Sequence, residues 1–244
     1  MNVAASATPR TVMVSGASRG IGLAIAQALH AQGHRLSLGM RDPAAFAANP
    51  AHAALVGSDR VLLHPYQAAD PTSPDSWLAA TRDVFGGVSA VVPCAGVFSR
   101  VGVRFESNQL DEIAQTLTVN LMAPWWLCRA VWGDLEASGD GRILMMVSMS
   151  GRRVKGHLAA YSASKFALMG LCQAMRNEGW EAGIRVTAIC PSWVNTDMAA
   201  QVKAIPGEAM TQPGDLAATA AHLLALPRTA VPFEFSVSCS LETG

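Results

Sequence analysis

The chain has 244 residues, half of them apolar, and its 18 basic and 18 acidic side chains give a formal net charge of zero. This length and apolar fraction are typical of one α/β domain with a substantial core. The charge balance argues against a nucleic-acid-binding surface and against an acidic solvating tail. No apolar run reaches the ~18 residues that would predict a membrane span.

Apolar runs alternate with segments of helical spacing along the whole chain. Near-continuous apolar strands separated by helices are typical of a parallel sheet covered on both faces, so we expect a doubly wound α/β fold in a single domain. The predicted strands cover residues 11–15, 35–40, 60–64, 88–92, 142–148, 184–190 and 233–239. The predicted helices cover residues 20–31, 44–53, 74–85, 109–135, 159–181 and 213–226, with a kink or local adjustment at Pro124.

The five cysteines are far apart and odd in number, and no two form a C-x-x-C pair. We therefore expect no bound metal, no disulfide framework and a reducing location, the cytoplasm. Residues 1–9 lack the basic and apolar regions of a signal peptide. The sequence predicts a flexible tail over residues 1–9 and a single domain over residues 10–244.

A glycine-rich segment, S-G-A-S-R-G-I-G from Ser15 to Gly22, follows the first predicted strand and begins the first helix. Glycines here allow a tight turn and let backbone N–H groups approach a pyrophosphate, whose charge the helix N-terminus favours. A tight strand–helix turn that binds nothing is the alternative. The strand–turn–helix context favours dinucleotide binding.

Tyr161 and Lys165 are four residues apart within a predicted helix, so they share one face. A fixed ammonium beside a phenol favours the phenolate and lowers the phenol pKa from ~10 toward neutral, as acid–base catalysis requires. Ser148, at the end of the fifth predicted strand, is positioned to hold a substrate oxygen. A packed tyrosine beside a solvated lysine would have the same spacing.

The glycine loop, Ser148, Tyr161 and Lys165 together resemble the short-chain dehydrogenase/reductase family, over the chain from Thr11 to the last predicted strand. The resemblance implies a Rossmann-like fold and hydride transfer between a nicotinamide and a carbonyl or secondary alcohol. It implies that Tyr161 is the general acid in reduction and the general base in oxidation. It also implies that Lys165 binds the nicotinamide ribose and that Ser148 hydrogen-bonds the carbonyl oxygen.

Further positions fit the same resemblance. Asn120, in T-V-N, matches a fourth catalytic residue that supports a water leading to the lysine, although a bond to helix backbone is the alternative. Asp70 matches the acid that contacts the adenine ring, and the alternative is a turn or cap before Pro71. The expected cofactor-binding residues are Gly16, Ser18, Arg19, Gly20, Ile21, Gly22, Arg41, Asp70, Ala95, Gly96, Pro191, Val194 and Thr196.

The end of the second strand bears on the choice of cofactor. Relatives that prefer NAD place an acid there to hold the ribose 2′-OH. Here the strand ends in Gly39-Met40-Arg41, and the first acid is Asp42. Arg41 and Arg19 together would bind a 2′-phosphate through charge-assisted bonds, so we expect NADP(H) rather than NAD(H).

Several positions depart from the family pattern. Pro93 and Cys94 replace two asparagines of the turn after the fourth strand, and Pro93 gives up a backbone N–H, so this turn needs another support. Ser192 replaces a glycine, which predicts a reshaped wall beside the nicotinamide. Ser15 conservatively replaces a threonine, and residues 233–244 lack the common Val-Asp-Gly-Gly ending.

The substrate pocket is expected after Gly96, in residues 150–154, and at Trp193 with the segment 198–205. Because that segment is short and fairly apolar, it favours a small or medium, partly apolar carbonyl compound, unless these residues only cover the sheet. Arg152, Arg153 and Lys155 would suit an anionic group, but the pattern favours a solvated loop. The pocket residues we predict are Ser150, Val154, Trp193 and Met198.

Two other functions fit the sequence less well. One is an NAD-linked alcohol dehydrogenase, and the other is a non-catalytic NADP-binding regulatory protein, which the intact Ser148, Tyr161 and Lys165 argue against. The two long helices that carry Asn120 and Tyr161 are apolar over much of their length. In the family these faces pair subunits, so the resemblance implies a homotetramer or dimer.

Overall fold

The computed structural model describes residues 9–200, 202 and 205–240. Its centre is a sheet of seven parallel strands in the order β3-β2-β1-β4-β5-β6-β7. The predicted doubly wound parallel α/β fold is therefore confirmed. The strands are β1 (Thr11–Ser15), β2 (Arg35–Met40), β3 (Val61–Pro65), β4 (Ala90–Pro93), β5 (Arg142–Met146), β6 (Arg185–Pro191) and β7 (Glu234–Val237).

Helices cover both faces of the sheet. Residue alternation along β1 directs Val12 and Val14 to one face and Met13 to the other. The first face packs on α1 and α8, and the second on α4, α6 and α7. The helices are α1 (Gly20–Ala31), α2 (Pro43–Ala47), α3 (Ala53–Val56), α4 (Ser73–Phe85), α5 (Leu110–Leu117), α6 (Ala123–Ala137), α7 (Ala159–Gly179) and α8 (Pro213–Ala225).

Two predicted helices differ from the structure. The weak helix expected over residues 44–53 is broken into α2, a 3₁₀ turn at Pro50–His52 and α3, because Pro50 cannot continue the hydrogen bonding of α2. The long helix expected over residues 109–135 consists of α5, a π-helical turn at Thr118–Met122 and α6. Pro124 falls in the first turn of α6, where a missing N–H costs little, so the local adjustment precedes the proline.

The carboxyl ends of the strands form the edge where a site is expected. Strand order reverses at β1, which lies between β2 and β4, and ligands of open α/β sheets bind outside the strand ends at such a point. The glycine segment follows β1 directly, and α7 follows β5 on the same edge.

The predicted tail, residues 1–9, lies outside the described residues except for Pro9, and so do residues 241–244 of the chain end. Within the described part of the chain, each helix is too short or too polar to cross a bilayer.

Candidate active site

The glycine loop has a geometry that only glycine satisfies at two positions. Gly16 has a φ of 66°, and a Cβ there would lie 2.8 Å from the Cα of Ala95. A Cβ on Gly22 would lie 2.3 Å from the backbone oxygen of Gly16. The loop is thus folded tightly on itself and against the turn after β4.

The N-terminus of α1 has the features of an anion site. The N-cap residue is Arg19, whose side chain makes no hydrogen bond to the helix, and the first turn contains no acidic residue. By contrast, Asp42 caps α2 by accepting from the N–H of Ala45 at 2.9 Å. Because the first N–H groups of a helix need an acceptor, the uncapped α1 fits a pyrophosphate group.

Ser15 supplies the support that the turn after β4 lacks. Pro93 has no N–H, but the backbone N–H groups of Cys94 and Ala95 donate to the Ser15 Oγ at 3.1 and 3.2 Å. Ser15 is 2% exposed. The expected alternative support is therefore a buried serine hydroxyl on the neighbouring strand.

Ser192 ties the end of β6 to the end of the chain's last strand. Its N–H donates to the Val237 oxygen at 2.8 Å, and its Oγ accepts from the N–H of Cys239 at 3.1 Å. Ser192 also lines the central cavity together with Pro191, Val194 and Thr196. The serine that replaces a glycine therefore both borders the cavity and anchors residues 237–239.

Three of the four predicted catalytic residues, Ser148, Tyr161 and Lys165, line one cavity outside the carboxyl ends of β4, β5 and β6, whereas Asn120 is not among its lining residues. The Ser148 hydroxyl hydrogen-bonds the Tyr161 phenol. It also accepts from the N–H of Ser150 at 3.1 Å, which fixes its rotamer. The Lys165 Nζ donates to the Met146 oxygen at 3.1 Å and lies 5.8 Å from the centre of the Tyr161 ring.

Burial controls the charge states of these groups. It raises the pKa of Tyr161 above its ordinary value, and the Ser148 hydrogen bond partly opposes that rise. Burial also lowers the pKa of Lys165 to about 8. The sequence predicted a Tyr161 pKa lowered by Lys165, whereas the direction is upward, because burial removes water from around the phenol.

Asn120 lies in the π-helical turn, where an extra residue is accommodated. Its Oδ1 accepts from the N–H of Val97 at 2.9 Å, and its Nδ2 donates to the Val97 oxygen at 2.9 Å and to the Ser164 Oγ at 3.1 Å. Its amide thus holds the segment after β4 against α7. The amide therefore does not make the helix-backbone bond that the sequence offered as the alternative, and these contacts leave the relay to the lysine a prediction.

The residues expected at the adenosine end lie at the surface. Arg41 is exposed beside Asp42, whose carboxylate is engaged at the start of α2. Arg19 pairs with Asp197 across the cleft, Nη1 to Oδ2 at 2.9 Å, with both side chains mostly exposed. Asp70 accepts from the backbone N–H and the hydroxyl of Thr72 through Oδ1, which lowers its pKa. The turn that the sequence offered as the alternative for Asp70 is present.

The cavity as a whole has a volume of about 290 Å³. Ser150, Trp193 and Met198 line it as predicted, with Phe98 between Tyr161 and Trp193 at ring distances of 5.0 and 6.1 Å. Val154 does not line it and is 59% exposed, because its loop turns the side chain to the surface. Residues 201, 203 and 204 of the predicted wall lie outside the described residues.

Sequence reasoning missed several residues of the site. Leu158 and Cys94 line the cavity, and Asp197 pairs with Arg19 over a separation of 178 residues. The role of Ser15 could have been inferred from the sequence, because serine keeps the hydroxyl of the threonine that it replaces. Across the described ranges, no group of three or more His, Cys, Asp or Glu side chains has metal-binding geometry.

A parallel sheet with a glycine cradle at its switch point, and a buried tyrosine, lysine and serine beside it, defines an oxidoreductase of the α/β class. Residues 10–206 match the sequence profile described as short chain dehydrogenase. The chain belongs to the short-chain dehydrogenase family.

Two relatives resemble this chain over most of its length. The agropine synthesis reductase of Rhizobium rhizogenes is 31% identical over 238 residues, which cover 95% of this chain and 53% of that protein. This chain thus spans about half the length of that reductase. The D-beta-hydroxybutyrate dehydrogenase of Rhizobium meliloti (strain 1021) is 30% identical over 204 residues, 83% of this chain and 78% of that protein.

A solved structure agrees with the fold. The alcohol dehydrogenase of the archaeon Thermococcus sibiricus, complexed with 5-hydroxy-NADP, superposes with a TM-score of 0.82 at 27% sequence identity. The superposition covers 93% of this chain and 95% of that one. The predicted family and the Rossmann-like fold are both confirmed.

Proposed function

We propose that this protein is an NADP(H)-dependent oxidoreductase that reduces a ketone or aldehyde to the alcohol and catalyses the reverse oxidation. The observation that carries the proposal is the cavity that Ser148, Tyr161 and Lys165 line together with residues 191–194 and Thr196. A carbonyl group in this cavity would lie among a proton donor, a hydrogen-bond donor and a cation. The nicotinamide supplies the hydride in reduction and accepts it in oxidation.

Tyr161 is the proton donor to the carbonyl oxygen. Its raised pKa keeps the phenol protonated at neutral pH, which is the form that reduction requires. Ser148 donates a hydrogen bond to the same oxygen, where negative charge develops. In the oxidation direction the phenol must first lose its proton, so we expect the rate of oxidation to rise with pH above neutrality.

Lys165 and Asn120 set the positions of the other groups. Lys165 is 5% exposed and held by the Met146 oxygen, so its ammonium is oriented toward the cavity floor and its spare protons suit ribose hydroxyls. Asn120 acts as a positioning residue, since its amide fixes Val97 at the cavity wall. A water relay from this turn to Lys165 stays a prediction.

The cofactor contacts we propose follow from the cradle. The residues Gly16, Ser18, Gly20, Ile21 and Gly22 would hold the pyrophosphate end, and Ala95, Gly96, Pro191, Val194 and Thr196 the nicotinamide end. Asp42 is engaged as a helix cap, which leaves Arg41 as the charged group at the end of β2 and supports NADP(H). Arg19 would join Arg41 at the 2′-phosphate, because an exposed pair such as that with Asp197 is weak. The contact of Asp70 with the adenine ring stays a prediction.

Cofactor preference is tested by titrating the protein with NADPH and NADH and measuring both dissociation constants. We expect tighter binding of NADPH, and we expect Arg41→Gln to weaken NADPH binding roughly 10-fold or more, the range of a charge-assisted bond, without changing NADH binding. NADH serves as the internal control because it lacks only the 2′-phosphate. Equal binding of both cofactors, unaffected by Arg41→Gln, would favour the NAD-linked alternative.

Turnover is tested with a panel of ketones, aldehydes and alcohols, followed at the nicotinamide absorbance. Tyr161→Phe should abolish turnover while leaving NADPH binding nearly unchanged, because only the proton donor is removed. Tyr66→Phe is the matched control, since Tyr66 is the other tyrosine, is buried, and packs on Trp77 away from the cavity. Full activity in Tyr161→Phe would discard the mechanism, and cofactor binding without turnover of any compound would favour a regulatory protein.

We also propose an oligomeric state and a cellular compartment for the protein. Leu110, Leu117, Trp125 and Phe166 are exposed on α5, α6 and α7, which supports pairing of these helices in a homotetramer or dimer. Light scattering during gel filtration gives the mass directly. All five cysteines are free thiols, which supports a reducing compartment, the cytoplasm.

A further inference from the structure

Two aromatic side chains that the proposed reaction does not use flank the reacting groups. Phe98 lies in the segment after β4 and Trp193 in the segment after β6, and both line the cavity. Strands β4 and β6 are the two neighbours of β5, whose carboxyl end leads to Ser148. The two segments therefore reach the cavity from opposite sides of β5. Both side chains are only partly buried, so each leaves apolar surface open to the cavity.

Phe98 and Trp193 form an aromatic corner. Their ring centres are 6.1 Å apart and their planes are inclined at 70°. The rings contact each other at that distance, so no third ring fits between them and a ligand lies against the open side of the corner. A flat ring stacked on one of two planes that meet at 70° is nearly perpendicular to the other. It would therefore stack on one ring and meet the other edge to face, and these are the two arrangements that aromatic pairs prefer.

Hydrogen bonds hold the backbone on both sides of the aromatic corner. Val97, next to Phe98, has its N–H and its oxygen bonded to the Asn120 amide, each at 2.9 Å. The backbone oxygen of Trp193 accepts from the N–H of Thr211 at 3.1 Å. The two rings are therefore anchored through their backbones in the ligand-free protein.

The aromatic corner begins next to the phenol. The ring centres of Phe98 and Tyr161 are 5.0 Å apart, and the two planes are inclined at 65°. A substrate carbonyl that accepts a hydrogen bond from the phenol has its oxygen ~2.7 Å from the phenol oxygen. A substituent on the carbonyl carbon is consequently within one or two bonds of Phe98, so the corner contacts whatever that carbon carries.

The cavity volume limits the size of that substituent. The cavity holds about 290 Å³, whereas an apolar protein cavity of roughly 150 Å³ is enough to bind benzene. The nicotinamide ring, which is also six-membered, would take up about half of the volume on this scale. The remaining space accommodates one more ring of the same size, and a fused or longer ring system does not fit.

We propose that the substrate is a ketone or aldehyde with a single aromatic ring, attached to the carbonyl carbon or one carbon away, and that this ring binds in the corner of Phe98 and Trp193. This inference rests on the proposed function, since it names the substrate class of that same site. The aromatic ring takes no part in the reaction: the carbonyl carbon gains a hydride from the nicotinamide, its oxygen gains the Tyr161 proton, and the product is the corresponding alcohol. Phe98 and Trp193 are then the residues that determine specificity.

The test compares two pairs of ketones: acetophenone with cyclohexyl methyl ketone, and phenylacetone with cyclohexylacetone. Each pair keeps the carbonyl and the carbon skeleton and differs only in the aromaticity of the ring. The carbonyl of phenylacetone is not conjugated with its ring, so the second pair also has similar intrinsic reactivity. Because one aromatic contact contributes a factor of roughly 2 to 10 and two are made here, we expect kcat/KM for phenylacetone to exceed that for cyclohexylacetone by about 5-fold or more.

Substitutions in the aromatic corner should reduce this aromatic-to-saturated ratio. Phe98→Leu and Trp193→Leu should each lower it by roughly 2- to 10-fold, because leucine keeps an apolar contact and removes the ring. Trp193→Phe should retain most of the ratio. A displacement of Tyr161 in the Phe98 variant would slow both ketones of a pair alike, so the ratio reports the ring contact itself.

Trp180→Leu is the matched control, because it removes the same ring away from the cavity. Trp180 follows α7 and precedes β6, so it lies at the amino end of that strand, where the Arg185 guanidinium is 3.6 Å from its ring centre. It does not line the cavity, and its substitution should leave the ratio unchanged. Arg153 and Lys155, which line the cavity from the loop before α7, are present in every variant, so differences in the ratio do not arise from them.

A wild-type ratio near one, or a ratio that neither leucine variant of the corner lowers, would overturn the inference and leave the proposed function intact. Turnover confined to compounds without an aromatic ring would do the same. Absence of turnover with every compound would overturn the proposed function instead.

In that last case, calorimetric titration of the protein and NADP with the alcohols that correspond to phenylacetone and cyclohexylacetone decides the inference separately. Tighter binding of the aromatic alcohol, weakened by Trp193→Leu and not by Trp180→Leu, supports the aromatic corner. Equal binding of the two alcohols, or binding of neither, refutes it.

Discussion

The turn after β4 depends on the hydroxyl of Ser15. It accepts the N–H groups of Cys94 and Ala95, at 3.1 and 3.2 Å, from a position that is 2% exposed. Ser15→Ala removes this acceptor without adding bulk. Both N–H groups then lose their partner, next to a proline that offers no N–H of its own.

The size of the effect follows from the cost of an unsatisfied donor. A buried N–H without a partner costs ~1–3 kcal/mol, and these two are only partly buried, so we expect a loss of about 2–3 kcal/mol in the free energy of unfolding. For a chain of this length that corresponds to a fall of about 4–12 °C in the melting temperature. NADPH binding should weaken as well, since a Cβ on Gly16 has no room beside Ala95 and the two loops are therefore in contact.

The assay is thermal unfolding followed by circular dichroism, together with NADPH titration. Ser15→Thr is the control, because it keeps the hydroxyl and adds one methyl group, and it should melt within a few degrees of the wild type. A melting temperature and a dissociation constant that are unchanged in Ser15→Ala would show that water replaces the hydroxyl, and the reasoning would be wrong.

Three other substitutions test the cleft. Gly22→Ala should weaken NADPH binding at least 10-fold, because its Cβ would lie 2.3 Å from the Gly16 oxygen, whereas Gly214→Ala, with open space in the first turn of α8, should not. Asp197→Asn should tighten NADPH binding up to about fivefold by releasing Arg19, and weaker binding would contradict this. Lys165→Met should raise the unfolding free energy at pH 7 by up to about 3 kcal/mol, since burial lowers the Lys165 pKa from 10.5 to about 8. The folded wild type binds fewer protons than the unfolded chain between those pH values, so its stability rises with pH there and the advantage of Lys165→Met should vanish by pH 10.5.

The sheet and most helices could be predicted because their signals are local. The helix predicted from Gly20 to Ala31 is correct at both ends, since the glycine loop marks its start and Ile25 and Leu29 mark its buried face. The helix predicted over residues 44–53 is interrupted at Pro50. This proline is also a local signal, and it disfavours a continuous helix more strongly than the alanines around it favour one.

Other features depend on contacts that sequence spacing does not contain. The π-helical turn lies where the Asn120 amide bonds Val97 and Ser164, on two other segments of the chain. Arg19 meets Asp197 only after β6 has been placed in the sheet. Whether Val154 or Arg153 enters the cavity depends on how one loop leaves its 3₁₀ turn, and alternation of residue types does not determine that.

The replacement of a family asparagine by Cys94 also bears on the chemistry of Lys165. An asparagine oxygen would accept hydrogen bonds, whereas a thiol is a weak acceptor. Burial raises the pKa of Cys94 to about 12, so the group beside Lys165 is a neutral thiol at physiological pH and does not balance the ammonium charge. The Met146 oxygen is then the acceptor that holds the Lys165 ammonium, and desolvation is the largest influence on its pKa. The ribose hydroxyls of a bound cofactor would supply further acceptors for the remaining N–H groups of this ammonium, which burial deprives of water.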